Sequence, residues 1–445
     1  MPISKKFTKG TIRSFISILS SGIYSVLYFF VIYIFYSHEE EYDYGYRGYI
    51  VLLLLYFYIF TTLISNFGAS QFGSKRILDI MLSADLSIIL SNIIAYFVLG
   101  LIEGHLVTPI PFFYLIFAQL LLSPMISYLG SRIVRAAYPP KKALVVFGDI
   151  DHSDIIANLK KYQSKEFVLS KEIFENDIDY SNINDILNDY ECVIGIDISH
   201  ESKKSLAKAC YEKYLRFYDV PSITDVLIKS SDIINFLDTP IFKLNKFGPS
   251  QLERIAKRAI DLFGGVILLI VASPIMLVSA IIIKLQDGGD VLFRQKRLTL
   301  NGKEFELVKF RSMIMNAEPN GKAIRAKEND DRITPFGKFL RKTRFDELPQ
   351  VFNILKGDLS FVGPRALRIE EYEQNEEDFP EFRYRLKVKA GLTGYAQVYG
   401  KYNTSFRDKL LLDIYYIENF SLVMDIKLIL MTIVTIFKKD STEGF

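Results

Sequence analysis

Four long apolar stretches crowd the start of this chain, approximately Thr11 to Tyr36, Tyr49 to Ser65, Ile77 to Ile102 and Val107 to Leu129. Each is close to the ~20 residues that cross the hydrocarbon core of a bilayer. They predict four transmembrane helices. The first is expected to stay in the mature protein rather than be cleaved as a signal peptide, because its apolar core is long, aromatic and lacks a small-residue cleavage site. Lys5, Lys6, Lys9 and Arg13 precede the first stretch, Lys75 and Arg76 separate the second from the third, and Arg132, Arg135, Lys141 and Lys142 follow the fourth. Glu39, Glu40, Glu41 and Asp43 fill the first loop instead. Cationic loops stay on the cytoplasmic side, so both ends of the bundle are expected there. Its few acidic residues lie near the span ends, which fits an anchor with no chemistry of its own.

The remainder has a different composition. Over all 445 residues, 50% are hydrophobic and 24% are charged, too apolar for a disordered chain and too charged for one lying wholly in lipid. A net charge of +3 leaves no basic footprint for nucleic acid. Cys192 and Cys210 are far from any CxxC spacing and read as core thiols, so neither a disulfide framework nor a zinc site is expected. No histidine follows His200, so chemistry beyond that point must use carboxylates, Lys, Arg or hydroxyls.

Pro139-Pro140 breaks the chain, after which short β-leaning runs at 143–147, 166–169 and 191–196 alternate with helical stretches at 154–162 and 202–214. That alternation predicts a small Rossmann-like α/β unit with a parallel sheet. The first strand leads into Gly148-Asp149-Ile150-Asp151, with one glycine where a dinucleotide fingerprint needs three, so a regulatory or assembly role is preferred to nucleotide binding. Asp149, Asp151, His152 and Asp154 read as a solvated strand-to-helix loop rather than a metal site.

A fifth apolar run, Leu262 to Ile283, is long enough to cross a bilayer. Ser273-Pro274 sits at its middle, and cations flank it at Lys257, Arg258, Lys284, Arg294, Lys296 and Arg297. A crossing would strand one basic set outside. A bent helix that enters the leaflet and returns is the preferred reading, with the Ser273 hydroxyl satisfying backbone groups that Pro274 frees. Near the end, Leu428 to Phe437 is too short to cross and reads as interfacial.

Between these membrane contacts the densest polar segment is Arg341-Lys342-Thr343-Arg344-Phe345-Asp346-Glu347-Leu348-Pro349-Gln350. Cations within a few ångströms keep carboxylates ionised. An ionised Asp can attack phosphorus, and a neighbouring Glu can hold Mg²⁺, which bridges nucleotide phosphates. A lone Asp-Glu pair is usually only a solvated helix face. Here Lys309-Phe310-Arg311-Ser312-Met313 lies upstream, with Gly357-Asp358-Leu359-Ser360-Phe361-Val362-Gly363-Pro364-Arg365 and Lys389-Ala390-Gly391-Leu392-Thr393-Gly394-Tyr395-Ala396-Gln397 downstream.

In this order and spacing, the segments resemble the bacterial sugar transferase family of polyprenyl-phosphate phosphoglycosyl transferases, over about Lys257 to the C-terminus. The four spans and the α/β unit resemble the family's long form. The resemblance implies an enzyme that transfers a sugar-1-phosphate from a UDP-sugar to undecaprenyl phosphate, initiating capsule, exopolysaccharide or O-antigen assembly. It implies Asp346 as nucleophile, Glu347 as the Mg²⁺ ligand with Asp346 beside it, and Lys309, Arg311, Arg341, Arg365 and Gln350 as substrate-binding residues. It also implies a re-entrant helix broken at Ser273-Pro274, a catalytic domain on the cytoplasmic face of the bacterial inner membrane, and partners limited to donor, acceptor and the lipid bilayer, with no nucleic acid. The large membrane-associated surface is compatible with a homodimer.

The chain departs from the family pattern at Ala366, where a second proline usually follows the arginine, and at Ala390, which replaces a proline. Arg344-Phe345 replaces a small-polar and leucine pair, and Leu298-Thr299 lacks a glycine. No reacting group is lost. The architecture expected is therefore a four-helix transmembrane bundle (1–138), a cytoplasmic Rossmann-like α/β domain (139–246) and an α-rich catalytic domain (247–445). A catalytically silent scaffold and a nucleotide-sugar epimerase or dehydratase are the competing classes. The dyad speaks against the first, and the missing glycine fingerprint and the absence of a Tyr-x-x-x-Lys pair on a recognisable cofactor-binding fold speak against the second.

Overall fold

The computed structural model describes residues 4–36, 45–148, 167–244, 248–315, 317, 330–400 and 404–436. The chain divides into two compact units, Met1–Val220 and Pro221–Phe445.

The first unit opens with helices α1 (Ser4–Tyr36), α2 (Gly45–Phe67), α3 (Ile77–Glu103) and α4 (Ile110–Ala137). All four are long and apolar enough to cross a membrane. Their packing is inverted relative to a soluble bundle. Phe15, Ile18, Phe30, Tyr58, Phe113 and Phe117 point outward, while Ser21, Ser25, Ser87, Ser91, Ser127 and Ser131 are buried between helices. Small side chains let helix backbones approach closely where lipid supplies no hydrophobic drive between helices. Gln119 sits fully buried, donating Nε2 to Tyr24 O at 3.1 Å and to the Tyr56 hydroxyl at 3.0 Å, and accepting from Asn92 Nδ2 at 2.7 Å. Beside it Tyr28 and Tyr56 stack with ring centroids 4.2 Å apart.

The chain then forms β1 (Lys141–Phe147), β2 (Phe167–Phe174), β3 (Cys192–Ile196), α5 (His200–Glu212) and β4 (Arg216–Asp219). The strands make one sheet in the order β2-β1-β3-β4, every pairing parallel. Leu144, Val146, Val193, Leu206 and Cys210 fill its core, so both cysteines are buried thiols as expected. The helix expected at 154–162 and the Asp149, Asp151, His152, Asp154 loop lie outside the described residues.

The second unit begins earlier than the sequence suggests. Helix α6 (Ile223–Lys229) puts Val226 into a core with Tyr372, Phe382, Leu410, Leu411 and Ile414. By packing it belongs with the catalytic segment and not with the parallel sheet. A two-stranded hairpin, β5 (Asp232–Phe236) and β6 (Thr239–Lys243), follows it.

Helix α7 (Gln251–Asp287) then runs 37 residues with Pro274 inside it. Ser250 and Glu253 form a capping box at its start, and Gly288 ends it in the left-handed conformation. Ser273 Oγ donates to Ile270 O at 2.9 Å, the backbone contact anticipated for that hydroxyl. Two of the flanking cations are held by protein partners, Lys257 buried and Arg258 half-buried. Lys257 pairs with Asp425, which also accepts from the Tyr416 hydroxyl at 2.7 Å. Arg258 donates to Ile354 O at 2.6 Å and Leu355 O at 2.7 Å, closing the last carbonyls of a short helix. At the other end Ile283 packs on Phe310 and Leu340, and Asp287 pairs with Arg311. Both ends of α7 are therefore fastened to the same unit. Between them Phe263, Ile270, Val271, Leu277 and Val278 are exposed.

Candidate active site

Three local structures meet at the acidic pair. The first is an antiparallel hairpin, β7 (Leu292–Leu298) and β8 (Glu304–Phe310), in which Phe293 faces Lys309 and Arg297 faces Phe305. Side chains alternate along a strand, so Phe305, Leu307 and Lys309 share one face. The first two are buried in the core, and Lys309 follows them toward the pair.

The second is the turn carrying Asp346 and Glu347. Helix α8 (Pro335–Thr343) starts at Thr334, whose Oγ1 accepts from Gly337 N at 3.0 Å, with Pro335 at its first position. It stops at Arg344, which takes the left-handed conformation (φ 60°) that costs a non-glycine residue roughly 1 kcal/mol. One 3₁₀ turn, Phe345–Glu347, follows, then Pro349 and helix α9 (Gln350–Lys356). Phe345 and Leu348 pack against the core of Ile283, Phe310 and Leu340. The two carboxylates thus sit between two apolar anchors, in a turn and not on the solvated helix face that an Asp-Glu pair usually occupies.

The third is the glycine-rich crossing. Strands β9 (Ser360–Val362) and β10 (Gly391–Thr393) pair in parallel. Gly363 N donates to Thr393 O and Gly391 N to Pro364 O, both at 2.9 Å. A Cβ on Gly363 would stand 2.2 Å from Lys389 O, and one on Gly391 would stand 2.1 Å from Gly363 N, so any side chain would part the strands. This close approach aims the next residue. Arg365 Nη2 reaches Glu347 Oε1 at 3.2 Å, the oxygen that also receives Lys309 Nζ at 3.2 Å.

Glu347 therefore takes two cations from two distant motifs on one oxygen. Burial alone would raise its proton affinity, but Lys309, Arg365 and Arg344 outweigh it and hold the carboxyl well below the usual range. Asp346 behaves oppositely: burial first, then the adjacent Glu347 charge, pushes it up to about 6. Among the described residues Asp346 makes no ion pair or hydrogen bond. One carboxylate is locked and the other is available, the separation of roles expected when environments drive two carboxyls apart.

Of the sequence-predicted residues, Asp346, Glu347, Lys309 and Arg365 converge. Arg341 lies beside them, donating Nε to Ser312 Oγ at 2.8 Å and facing the Asp346 charge. Arg311 is instead engaged with Asp287 at the end of α7. Gln350 is buried in the first turn of α9, and no hydrogen bond among the described residues ties it to the dyad. Ser273 and Pro274 are in the exposed middle of α7. Two contributors were not named among the expected site residues. Arg344 adds a cation to both carboxyls. Arg385 donates Nη2 to Arg365 O at 3.1 Å while its Nε is held at 2.7 Å by buried Asp413, on helix α10 (Phe406–Glu418), ahead of the last helix, α11 (Leu422–Ile436). Arg344 is one of the cations of the dyad segment itself, whereas Arg385 stands in no motif that marks it.

Among the described residues no cluster of three or more His, Cys, Asp or Glu could hold a metal by itself. Mg²⁺ does not require one, since it takes one or two carboxylates and completes its shell with water and substrate phosphates. Asp346 and Glu347 fit that donor set.

The comparisons agree with this geometry. The model of the bacterial sugar transferase family matches residues 252–439, which contain every residue of the site. A UDP-N-acetylgalactosamine-undecaprenyl-phosphate N-acetylgalactosaminephosphotransferase of Aeromonas hydrophila is 37% identical over 243 residues, 54% of this chain and 56% of the relative. The galactosyl transferase CpsE of Streptococcus agalactiae is 31% identical over 60% of this chain and 68% of its own. A UDP-glucose:undecaprenyl-phosphate glucose-1-phosphate transferase of Caulobacter vibrioides is 35% identical over 46% of this chain and 78% of its own. The chain spans about half the length of the first curated relatives it matches. With the family match running through the hairpin, the dyad turn and the glycine crossing alike, and relatives more than 30% identical covered over two thirds of their length, the chain belongs to the bacterial sugar transferase family.

Proposed function

We propose that this protein transfers a sugar-1-phosphate from a UDP-sugar to undecaprenyl phosphate in two displacements on Asp346. The observation that carries the reading is the division of labour in the dyad. Glu347 is pinned by Lys309 and Arg365, while Asp346 is left without a partner beside them. In the first displacement an Asp346 carboxylate oxygen attacks the sugar-bearing phosphorus, the bond to the bridging oxygen breaks, and uridine monophosphate leaves with that oxygen. In the second, a phosphate oxygen of the polyprenyl phosphate attacks the same phosphorus and the Asp346 oxygen departs, restoring the carboxylate. Lys309, Arg365 and Arg341 hold the phosphoryl oxygens and spread their charge. When bound, Mg²⁺ supplies charge neutralisation for the diphosphate, held by Glu347 with Asp346 beside it.

The reaction needs a lipid-borne acceptor and a water-borne donor, and the fastening of α7 supports a site at such a boundary. Its two ends hold one polar unit through Lys257, Arg258 and Asp261 on one side and Ile283 and Asp287 on the other. A simple crossing would put those ends on opposite faces of ~30 Å of hydrocarbon. We therefore read α7 as re-entrant about Ser273-Pro274, with the catalytic unit on the cytoplasmic face of the inner membrane, where nucleotide sugars are made. The relatives' names favour a sugar phosphate handed to undecaprenyl phosphate, as in capsule or exopolysaccharide initiation. The test is to incubate the purified protein in nanodiscs with a panel of UDP-sugars, Mg²⁺ and undecaprenyl phosphate. Release of uridine monophosphate that requires both lipid and metal supports the reading; no release from any donor contradicts it.

A further inference from the structure

One half-buried cation near the dyad has no role in the account so far. Arg297, on β7, lies on the same face of the hairpin as Lys309, because Phe293 opposite Lys309 and Arg297 are four residues apart in one strand. Its fork is aimed. Nη1 donates to Ala366 O at 3.1 Å and Nη2 to Gln295 Oε1 at 2.6 Å. Nε is buried and has no hydrogen-bond partner among the described residues. A buried donor left without an acceptor is unfavourable, and a guanidinium even more so without a carboxylate paired to it. The neighbourhood makes the position stranger, since a backbone bridge sets Arg297 against Arg368, and Ala366 follows Arg365 directly. Burial, then the charges of Arg365 and Arg368, lower its proton affinity to about 10, with Glu371 and Glu370 opposing. A site that crowds cations around an unused N–H is built for an anion.

We propose that Arg297 binds the departing phosphate of the donor, the one that stays with the nucleoside. This rests on the double-displacement reading and deepens it. Arg365 reaches Glu347, and Arg297 is tied to Ala366 O, the carbonyl next to Arg365, so the line of cations continues from the dyad through Arg365 to Arg297. Attack by Asp346 fixes the sugar-bearing phosphorus at the dyad, and in-line geometry places the leaving oxygen on the far side of that phosphorus. The next phosphate outward meets Arg297, whose free Nε–H supplies a charge-assisted bond to it.

The experiment measures equilibrium binding of uridine monophosphate and of uridine to the full-length protein in nanodiscs, for wild type, Arg297→Gln and Arg297→Lys. The quantity read is the preference for the phosphorylated over the unphosphorylated nucleoside. Arg297→Gln should lose about 10- to 100-fold of that preference with uridine affinity unchanged, and Arg297→Lys, which keeps charge but not the fork, should lose only part. An unchanged preference in Arg297→Gln overturns the inference, as does equal weakening of both ligands, the sign of a merely structural role. A wild type that binds uridine monophosphate no better than uridine defeats the underlying reading as well, which separates the two failures.

Discussion

Lys309 Nζ stands 3.2 Å from Glu347 Oε1, joining a strand residue to a turn residue 38 positions later. Arg365 shares that oxygen, so neutralising Glu347 would leave two cations facing each other without their counter-charge. Glu347→Gln should lower turnover at least 100-fold and should also destabilise the fold, by about 1–3 kcal/mol. Asp346 has no ion pair to lose, and burial already disfavours its charge. Asp346→Asn should therefore abolish turnover while keeping Tm within a few degrees of wild type or above it. Differential scanning fluorimetry beside a uridine monophosphate release assay separates the two. An Asp346→Asn protein that unfolds as readily as Glu347→Gln would contradict the assignment of a locked and an available carboxylate.

The phosphate-directed motifs all follow Lys257, so the N-terminal part should be dispensable for chemistry, but the position of the cut matters. Starting the chain at Pro221 keeps Val226 in the core with Phe382 and Leu410. Starting it at residue 247 strips that core. The shorter protein should lose roughly 2–3 kcal/mol for the buried valine and its neighbours Ile223 and Leu227, seen as a lower Tm, whereas the longer one should keep the intrinsic rate of the full chain. Equal stability of the two would show that α6 contributes nothing to the unit.

Topology can be read by cysteine labelling at the two ends of α7. Ser312 is a poor probe because its hydroxyl holds Arg341. Gln251 and Gln286 are exposed at either end. With single cysteines there, an impermeant reagent added outside intact cells should label neither, and both should label after permeabilisation. Labelling of one end alone from outside would mean the helix crosses. Pro274→Leu, which restores a backbone hydrogen bond and removes a ring clash of about 3 kcal/mol, should shift part of the population toward that pattern.

The native cysteines should not interfere. Burial pushes the Cys192 and Cys210 thiols up to about 11 each. At pH 7.5 the reactive thiolate is then scarce, so the folded protein should resist iodoacetamide for hours and become fully alkylated in denaturant. Mass spectrometry of the native sample after a short exposure decides it; rapid modification of either thiol would show that the sheet opens readily.

Much of this architecture could be read from residue order alone. The apolar stretches mark where α1 to α4 lie, because lipid imposes length and hydropathy directly, although α1 begins at Ser4 and α4 runs on to Ala137. The catalytic segment is legible for another reason: Asp346, Glu347 and Arg365 lie in short motifs whose glycines and prolines serve local turns, and Lys309 opens the Lys-Phe-Arg-Ser-Met run upstream of them. What stayed hidden depends on distance along the chain. Lys257 and Asp425 are 168 residues apart, and nothing in either neighbourhood announces a buried pair. The same holds for Asp413, which reaches Arg365 only through Arg385, and for Arg297, which looks like one more charge on a polar strand. Helix α6 falls inside the 139–246 bounds of the α/β domain because nothing in its short sequence names a partner, and only the residues around Val226 place it in the second unit. For Arg311 the motif identified the residue, but its charge is taken up by Asp287.

The central claim is that Asp346 carries the phosphosugar covalently, and the most direct measurement omits the acceptor. A UDP-sugar labelled with ³²P in its sugar-bearing phosphate is mixed with the protein and Mg²⁺, quenched, denatured and resolved by gel. Wild type should retain label that undecaprenyl phosphate chases off, with a modified peptide mapping to Asp346, and Asp346→Asn should retain none. Label persisting on Asp346→Asn, or a wild type that releases uridine monophosphate only when the acceptor is already present, would contradict the covalent mechanism.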